Sequence, residues 1–414
     1  MSDREARKAA RGRIRELAAV FTRLGFTAFG GPAVHVGLLE DEVVTRRKWV
    51  DGQHFLDMVA AVNFVPGPNS TELAIHIGQI RAGFAGLVVA GACFIAPAML
   101  IILPIAWAYV RWGALPALQP ALRSIGAAVV AVVAFATFRF GRTALKDPFA
   151  VALASLTAIG AYAASAYAHL QPEVPALAVA AAAGTLWYRR GRPGRGGPGA
   201  PGAPGAPGKG ATTYVLALPV LFWRELSIMA LYLLKIGATL FGSGYVLVSY
   251  LQSDFVDRTG WLTQQQFLDA IAVGQFTPGP LLTTATFVGY LLGHLRFGGG
   301  VPGGILAGIA ATAAIFLPSF VIVAILGPML QKLRAQEWAR ATLDGMNAAV
   351  VALMAVATVR LALAALTTAS GSHGDLLNAA VLAAALVGLA LKVNATWLIL
   401  AAGVVGTAAS MVIR

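Results

Sequence analysis

Val65-Pro66-Gly67-Pro68-Asn69-Ser70-Thr71 and Thr277-Pro278-Gly279-Pro280-Leu281-Leu282-Thr283 each cut a long apolar run with Pro-Gly-Pro, and they stand 212 positions apart. The same shift lays Gly25, Thr27, Phe29 and Gly30 on Gly237, Thr239, Phe241 and Gly242, and Trp49 on Trp261. It also lays Gln53, Phe55, Leu56 and Asp57 on Gln265, Phe267, Leu268 and Asp269 without a gap. Beyond an insertion near residues 298–304 the offset becomes 221, pairing 127–131 with 348–352, Thr137 with Thr358 and Arg139 with Arg360. The chain is a duplication over almost its whole length.

Its composition, 58% hydrophobic and 12% charged residues with a mean hydropathy of +0.73, lies outside the range of soluble domains. The solvent is lipid. Apolar stretches long enough to cross it, about 20 residues, recur at 84–110 and 301–330. They are continuous and rich in Ala and Leu, not alternating with period two, so the spanning elements are helices and not barrel strands. The fold class is therefore an all-α polytopic membrane protein of two homologous halves with helices broken at Gly/Pro motifs.

The net charge of +13 sits mainly between the apolar runs, where it sets topology; no nucleic-acid partner is expected. Cys93 is the single cysteine and no cluster has metal-ligand spacing, so neither disulfides, metal nor cofactor are expected. Residues 1–16 read as a basic cytoplasmic lead-in carrying Arg7, Lys8, Arg11, Arg13 and Arg15, without the layout of a cleaved signal peptide. The first repeat covers 17–188 and the second 211–414. Between them, 189–210 is a Gly/Pro/Arg-rich flexible linker, placed in the cytoplasm by Arg189, Arg190, Arg192, Arg195 and Lys209.

The stretch 17–44 is broken at Gly30-Gly31-Pro32 and has basic residues on both flanks. It is expected to enter and return as a hairpin, with irregular backbone that only a cavity or surrounding protein can accommodate. The loop after it is basic in the first half (Arg46, Arg47, Lys48), whereas its counterpart holds Asp254, Asp257 and Arg258. By the positive-inside rule the halves then face opposite ways, an inverted repeat. Inversion needs an odd number of crossings between equivalent points; the extra one would have to use 212–223, which is short and contains Pro219. A parallel repeat stays open.

A helix that restarts in mid-membrane exposes unpaired N–H groups and roughly half a positive charge, which suits an anion. Pro68 and Pro280 fit the restart, since their missing N–H is not needed there. Asn69, Ser70 and Thr71 follow the first, and Thr283 and Thr284 the second, with Thr71 and Thr283 equivalent. Paired broken helices point to a transporter's binding site, so these residues, with Gly30, Gly31, Gly242 and Ser243 at the other break, are the candidate substrate-binding set. The alternative is a pair of proline kinks without a ligand. Arg23 and Lys235, equivalent and intramembrane, either neutralise the anion or snorkel to the interface. Glu72 faces Thr284 in the repeat; it either carries a coupling proton or caps its own helix. Asp57 and Asp269 read as helix caps, and His35 and His76 as hydrogen-bonded structural residues.

Phe29-Gly30-Gly31-Pro32, Trp49, residues 66–72, and then Phe241-Gly242-Ser243-Gly244 and Pro278-Gly279-Pro280 together resemble the chromate transporter family in its long, two-domain form. The resemblance covers both halves and implies a secondary transporter, not an enzyme, in the cytoplasmic (inner) membrane. It implies export of chromate driven by the membrane potential or proton gradient, with sulfate as a competing tetrahedral oxyanion. In the second half Gly-Gly-Pro becomes Gly242-Ser243-Gly244, so the halves need not contribute equally. A homodimer, common among such transporters, is the candidate assembly. An anion channel and a membrane enzyme acting on a phosphate ester are the rival classes; no paired carboxylates or His cluster at matched depth favour the second.

Overall fold

The computed structural model describes residues 3–29, 32–63, 65–113, 115, 118–167, 173–190, 217–242, 244–327, 336–367 and 372–412. Gly30, Gly31, Ser243 and the linker beyond Arg190 lie outside the described residues, as do residues 212–216 at the start of 212–223. Among the described residues every regular element is helical. The first half contains α1 (Asp3–Thr27), α2 (Pro32–Glu40), α3 (Gly52–Val62), α4 (Asn69–Trp112), α5 (Gln119–Ala144), α6 (Pro148–Tyr167) and α7 (Glu173–Arg190). The second contains α8 (Ala217–Thr239), α9 (Leu247–Leu251), α10 (Gln264–Phe276), α11 (Thr284–Leu291), α12 (Gly300–Leu326), α13 (Glu337–Thr367), α14 (Ser372–Ala390) and α15 (Ala395–Val412).

The repeat is visible in the local chemistry. The side chain of Asp51 accepts the N–H of His54 at 2.9 Å and caps α3; at the equivalent position Thr263 and Gln266 form a capping box for α10. Asp57 and Asp269 therefore lie inside their helices and are not caps. Both halves also carry a π-helical stretch in the returning limb of the first hairpin, Asp41–Arg46 and Gln252–Arg258. Widening the helix turns Glu42 and Asp254, which are equivalent, back toward the preceding helix, where Arg23 meets Glu42 and Lys235 meets Asp254 at 2.6 Å.

Each half begins with two hairpins that return to the end they entered from. In the first, the guanidinium carbons of Arg47 and Arg81 lie 5.4 and 5.1 Å from the centroid of the Trp49 ring. Both arginines bridge to Glu16 of α1, at 2.6 and 3.1 Å. The second half gathers the same points with aromatic rings: Phe297 packs 5.5 Å from Trp261 and 6.3 Å from Phe222. α4 reverses at Gly83, whose φ of +61° admits the sharp turn. Its limbs then touch so closely that a Cβ on Gly78 would lie 2.3 Å from the carbonyl oxygen of Gly86. The second limb of α4 and α5, α12 and α13 are long and apolar enough to cross a membrane, and α6, α14 and α15 are shorter apolar helices.

The two halves interlock. α5 packs against α14 and α15 of the second half, and α13 against α6 and α7 of the first. α5 and α13, equivalent helices, also pack on each other. Thr137 and Thr358, equivalent residues, share a hydrogen bond of 3.1 Å across that contact, while Gly141 faces Val351, so the pair is antiparallel. α4 and α12 are equivalent and antiparallel too: Gly91 faces Phe320, and Leu103 faces Gly308. The residues that align best in sequence, 127–131 and 348–352, are the buried centre of this interface. Outward-facing Leu156, Ile159, Leu376 and Val404 are exposed, the apolar coat of a protein whose surrounding solvent is lipid.

Candidate functional site

The four helix breaks converge at the middle of the interface. Gly67 and Gly279 hold φ of +139° and +97°, in the left-handed region that favours glycine. The turn aims each amide outward from its own half. Gly67 N–H donates to the carbonyl of Leu240 at 2.7 Å, and Gly279 N–H to the carbonyl of Ala28 at 2.9 Å. Leu240 is the repeat equivalent of Ala28 as Gly279 is of Gly67. The two hydrogen bonds are one contact made twice, the reciprocity of a pseudo-twofold interface. The packing beneath them is reciprocal as well: Gly67 abuts Ser319 on α12, and Gly279 abuts its equivalent Ala98 on α4.

Between the breaks lies a cavity of about 20 Å³ lined by His35, Pro68, Ser70, Tyr245, Gln275 and Thr277 among others. That is room for about one water molecule. On the first-half side, the N–H groups of Thr71 and Glu72 fold back onto the Pro68 carbonyl at 2.8 and 3.2 Å. Those of Asn69 and Ser70 are the first-turn donors a helix cannot pair internally. Thr71 is fully buried and its hydroxyl has no hydrogen-bond partner. On the second-half side, the helix restarts through a 3₁₀ turn, Leu281–Thr283. There Thr283 and Thr284 spend their hydroxyl protons on the carbonyls of Pro280 and Leu281, at 2.6 and 2.8 Å. The matched threonines are thus not equivalent donors.

His35 joins the two breaks of the first half. Its Nε2 faces the Ala28 carbonyl at 3.0 Å and must carry the proton there. In the neutral ring Nδ1 then accepts from the Ser70 hydroxyl at 3.2 Å. A second proton on the imidazole would free the Ser70 hydroxyl to donate elsewhere. Glu72 is fully buried. It does not cap α4: one carboxyl oxygen takes Ser319 of α12 at 3.3 Å, and the other has no partner.

The remaining expected residues fall elsewhere. Asn69 donates to Asn63 at 2.6 Å. Arg23 and Lys235 do not line the cavity; each is held by a carboxylate 19 residues on, Glu42 and Asp254. Glu42 is also held by Arg47 at 2.6 Å. Gly242, whose φ is +87°, packs on the Phe140 ring. Tyr245 and Gln275 line the cavity without having been singled out; they share a long 3.5 Å contact, and the Gln275 amide nitrogen is buried without a partner. The repeat held the signal for Gln275, because its equivalent is Asn63, an amide just ahead of Pro-Gly-Pro in both halves. Tyr109 donates to Asp269 at 2.7 Å, a bond between the halves.

The duplicated breaks coincide with a shared family pattern. The chromate transporter family model matches residues 15–186 and again 228–407, one copy per half. The chain is 30% identical to the chromate transport protein of Pseudomonas aeruginosa, covering 94% of this chain and 91% of that one. It is 29% identical to the chromate transport protein of Cupriavidus metallidurans, over 84% and 82%. With a probable chromate transport protein of Synechococcus elongatus it shares 28%, over 77% of each. No solved structure matches it. Both halves of this all-α membrane protein match, and the relatives are transport proteins, so the chain belongs to the chromate transporter family.

Proposed function

We propose that this protein is a secondary transporter that exports chromate, or a related tetrahedral oxyanion such as sulfate, from the cytoplasm by alternating access. The observation that carries the reading is that both helix restarts, at Pro68 and Pro280, border one buried polar cavity, each tied by its Pro-Gly-Pro glycine to the first break of the other half. The first-turn amides of both restarts, the Ser70 and Thr71 hydroxyls and the Gln275 amide supply donors, and the two helix dipoles supply partial positive charge. Tetrahedral dianions of similar size offer the same acceptors, so this donor set admits sulfate as well as chromate. A cavity of one water's size is an occluded state, and the anion enters when the halves part.

The antiparallel packing of α4 on α12 and of α5 on α13 supports an inverted repeat with its axis in the membrane plane. Such symmetry lets one half adopt the other's conformation with the site turned to the opposite face. The Trp49 end, with Arg46, Arg47, Lys48, Arg81, Arg142 and Lys146, is the basic one and faces the cytoplasm of a cell whose inner membrane holds the protein. Glu72, buried against Ser319 with Thr284 as its counterpart, is the group that takes up a coupling proton. Arg23 and Lys235 act through Glu42 and Asp254, fixing the hairpins that carry the breaks.

Uptake of labelled chromate and sulfate into inverted vesicles tests this. Thr71→Ala and Gln275→Ala lower uptake severalfold, whereas Thr283→Ala, whose hydroxyl is already committed, changes it little. Glu72→Gln leaves binding intact but removes the response to an imposed pH gradient. Undiminished uptake in Thr71→Ala and Gln275→Ala together removes the site; no uptake of either anion by the parent removes the substrate. Flux that neither saturates nor follows an imposed gradient favours a channel.

A further inference from the structure

At the Trp261 end, away from the breaks, α7 of the first half meets the π-helical limb 252–258 of the second over a cavity of about 30 Å³. Glu173, Ser249, Gln252, Ser253, Asp257 and Arg360 line it. Two of its oxygens, Glu173 Oε2 and Gln252 Oε1, have no hydrogen-bond partner, on residues only 3% and 4% exposed. Both are acceptors. Ser253 and the backbone N–H of Glu173 reach the same carboxyl group, so helix capping uses part of it and leaves an oxygen over. Burying such an oxygen unpaired is costly.

The charged neighbours are occupied with one another. Arg360 on α13 reaches Asp257 at 2.7 Å, and Lys235 on α8 reaches Asp254 at 2.6 Å. Among the other titratable groups around it, Tyr250 on α9 donates to the Thr239 carbonyl at 3.1 Å. Tyr162 on α6 lies 5.9 Å from the Arg360 guanidinium carbon. Arg258 stands over the Tyr232 ring at 5.5 Å. Lys235 and Arg360 are paired with Asp254 and Asp257, Arg258 lies over the Tyr232 ring, and among the described residues no ion pair reaches Glu173. A water bridging the two oxygens satisfies their hydrogen bonds but not the charge.

We propose that this cavity is a site for one monovalent cation, Na⁺ or a proton, bound between Glu173 and Gln252. As Na⁺ it takes these two oxygens, with the Ser249 and Ser253 hydroxyls beside them. As a proton it resides on Glu173 and donates to Gln252. Either cation fastens α7 of one half to the limb whose Asp254 holds Lys235, two residues before Gly237 and about one turn before α8 ends at Thr239, next to the break at Gly242. Its occupancy thereby favours one setting of the hairpin that carries that break, the position a coupling ion needs.

The test does not depend on transport. The full chain in detergent micelles is melted in NaCl and in choline chloride at equal ionic strength, at several pH values. A ligand of the native state raises Tm with its concentration. Wild type is expected to gain Tm with Na⁺, or, if the occupant is a proton, with falling pH in choline alone. That dependence disappears in Glu173→Gln and weakens in Gln252→Leu, whatever either change does to Tm itself. Gln252→Leu keeps the carboxylate and so remains informative should Glu173→Gln fail to fold. Equal Na⁺ and pH responses in wild type and variants, or none in wild type, overturn the proposal and leave a water-filled structural cavity.

Discussion

Replacing Gly279 with Ala perturbs the contact between the halves at one atom. Its φ of +97° puts a side chain in a region that costs about 1–3 kcal/mol. The new Cβ would stand 2.8 Å from the Cβ of Ala98, on a packed helix with little room to yield, an overpacking of about 1–3 kcal/mol. Gly279→Ala should therefore destabilise by about 2–6 kcal/mol in total. Ala98→Gly removes the opposing methyl at a cost of about 1 kcal/mol for a helical glycine. In the double variant the overpacking share returns and the φ strain stays, a coupling of about 1–3 kcal/mol, as residues in contact show. Equilibrium unfolding of the purified protein in mixed micelles measures all four corners of the cycle. At the reciprocal contact, Ser319→Gly should rescue Gly67→Ala less well, because a Cβ on Gly67 would also meet Glu72 Oε1 at 2.3 Å. Additivity of Gly279→Ala and Ala98→Gly within about 0.5 kcal/mol would refute the reasoning.

Other outcomes follow from the same geometry. Asp147, in the turn before α6, accepts the Ala150 N–H at 2.8 Å and the Tyr188 hydroxyl at 2.7 Å, and these bonds, that from Ala150 foremost, hold its carboxyl below the usual range. Its stabilisation is present above the unfolded value of about 3.9 and lost as pH falls through the lower folded value. Asp147→Ala should cost about 1 kcal/mol near neutrality, with the gap in Tm closing in acid. A disulfide should form within one chain on mild oxidation of Thr137→Cys with Thr358→Cys in a Cys93→Ser background, since the two hydroxyls are 3.1 Å apart; absence of the crosslink on denaturing gels would contradict the α5–α13 contact.

The repeat, the helix breaks and the all-α membrane fold were legible because each leaves a mark along the chain: an unbroken offset, a Pro-Gly-Pro, an apolar run. The pairing of Arg23 and Lys235 with Glu42 and Asp254 was not legible, although those carboxylates also differ by 212. It was hidden because a spacing of 19 matches no helical period; only the hairpin and its π-helical turn bring the residues together. Hydrogen bonds between the halves left no local mark. Nothing near Thr71 and Thr283 reveals that one hydroxyl is unpartnered and the other spent, because a 3₁₀ restart in one half and an α-helical restart in the other decide it. Tyr109 and Asp269 are joined only by the packing of α4 against the second half.

The claim that an oxyanion binds between the two restarts is tested most directly by protection of a cysteine placed there. In Cys93→Ser carrying Ser70→Cys, sulfate should slow modification by a small thiol reagent in a saturable way. Chloride at equal ionic strength should not, and a control cysteine at the exposed position Leu156 should react alike in both. Equal modification rates at position 70 with and without saturating sulfate, in protein that still transports it, would contradict a site between Pro68 and Pro280.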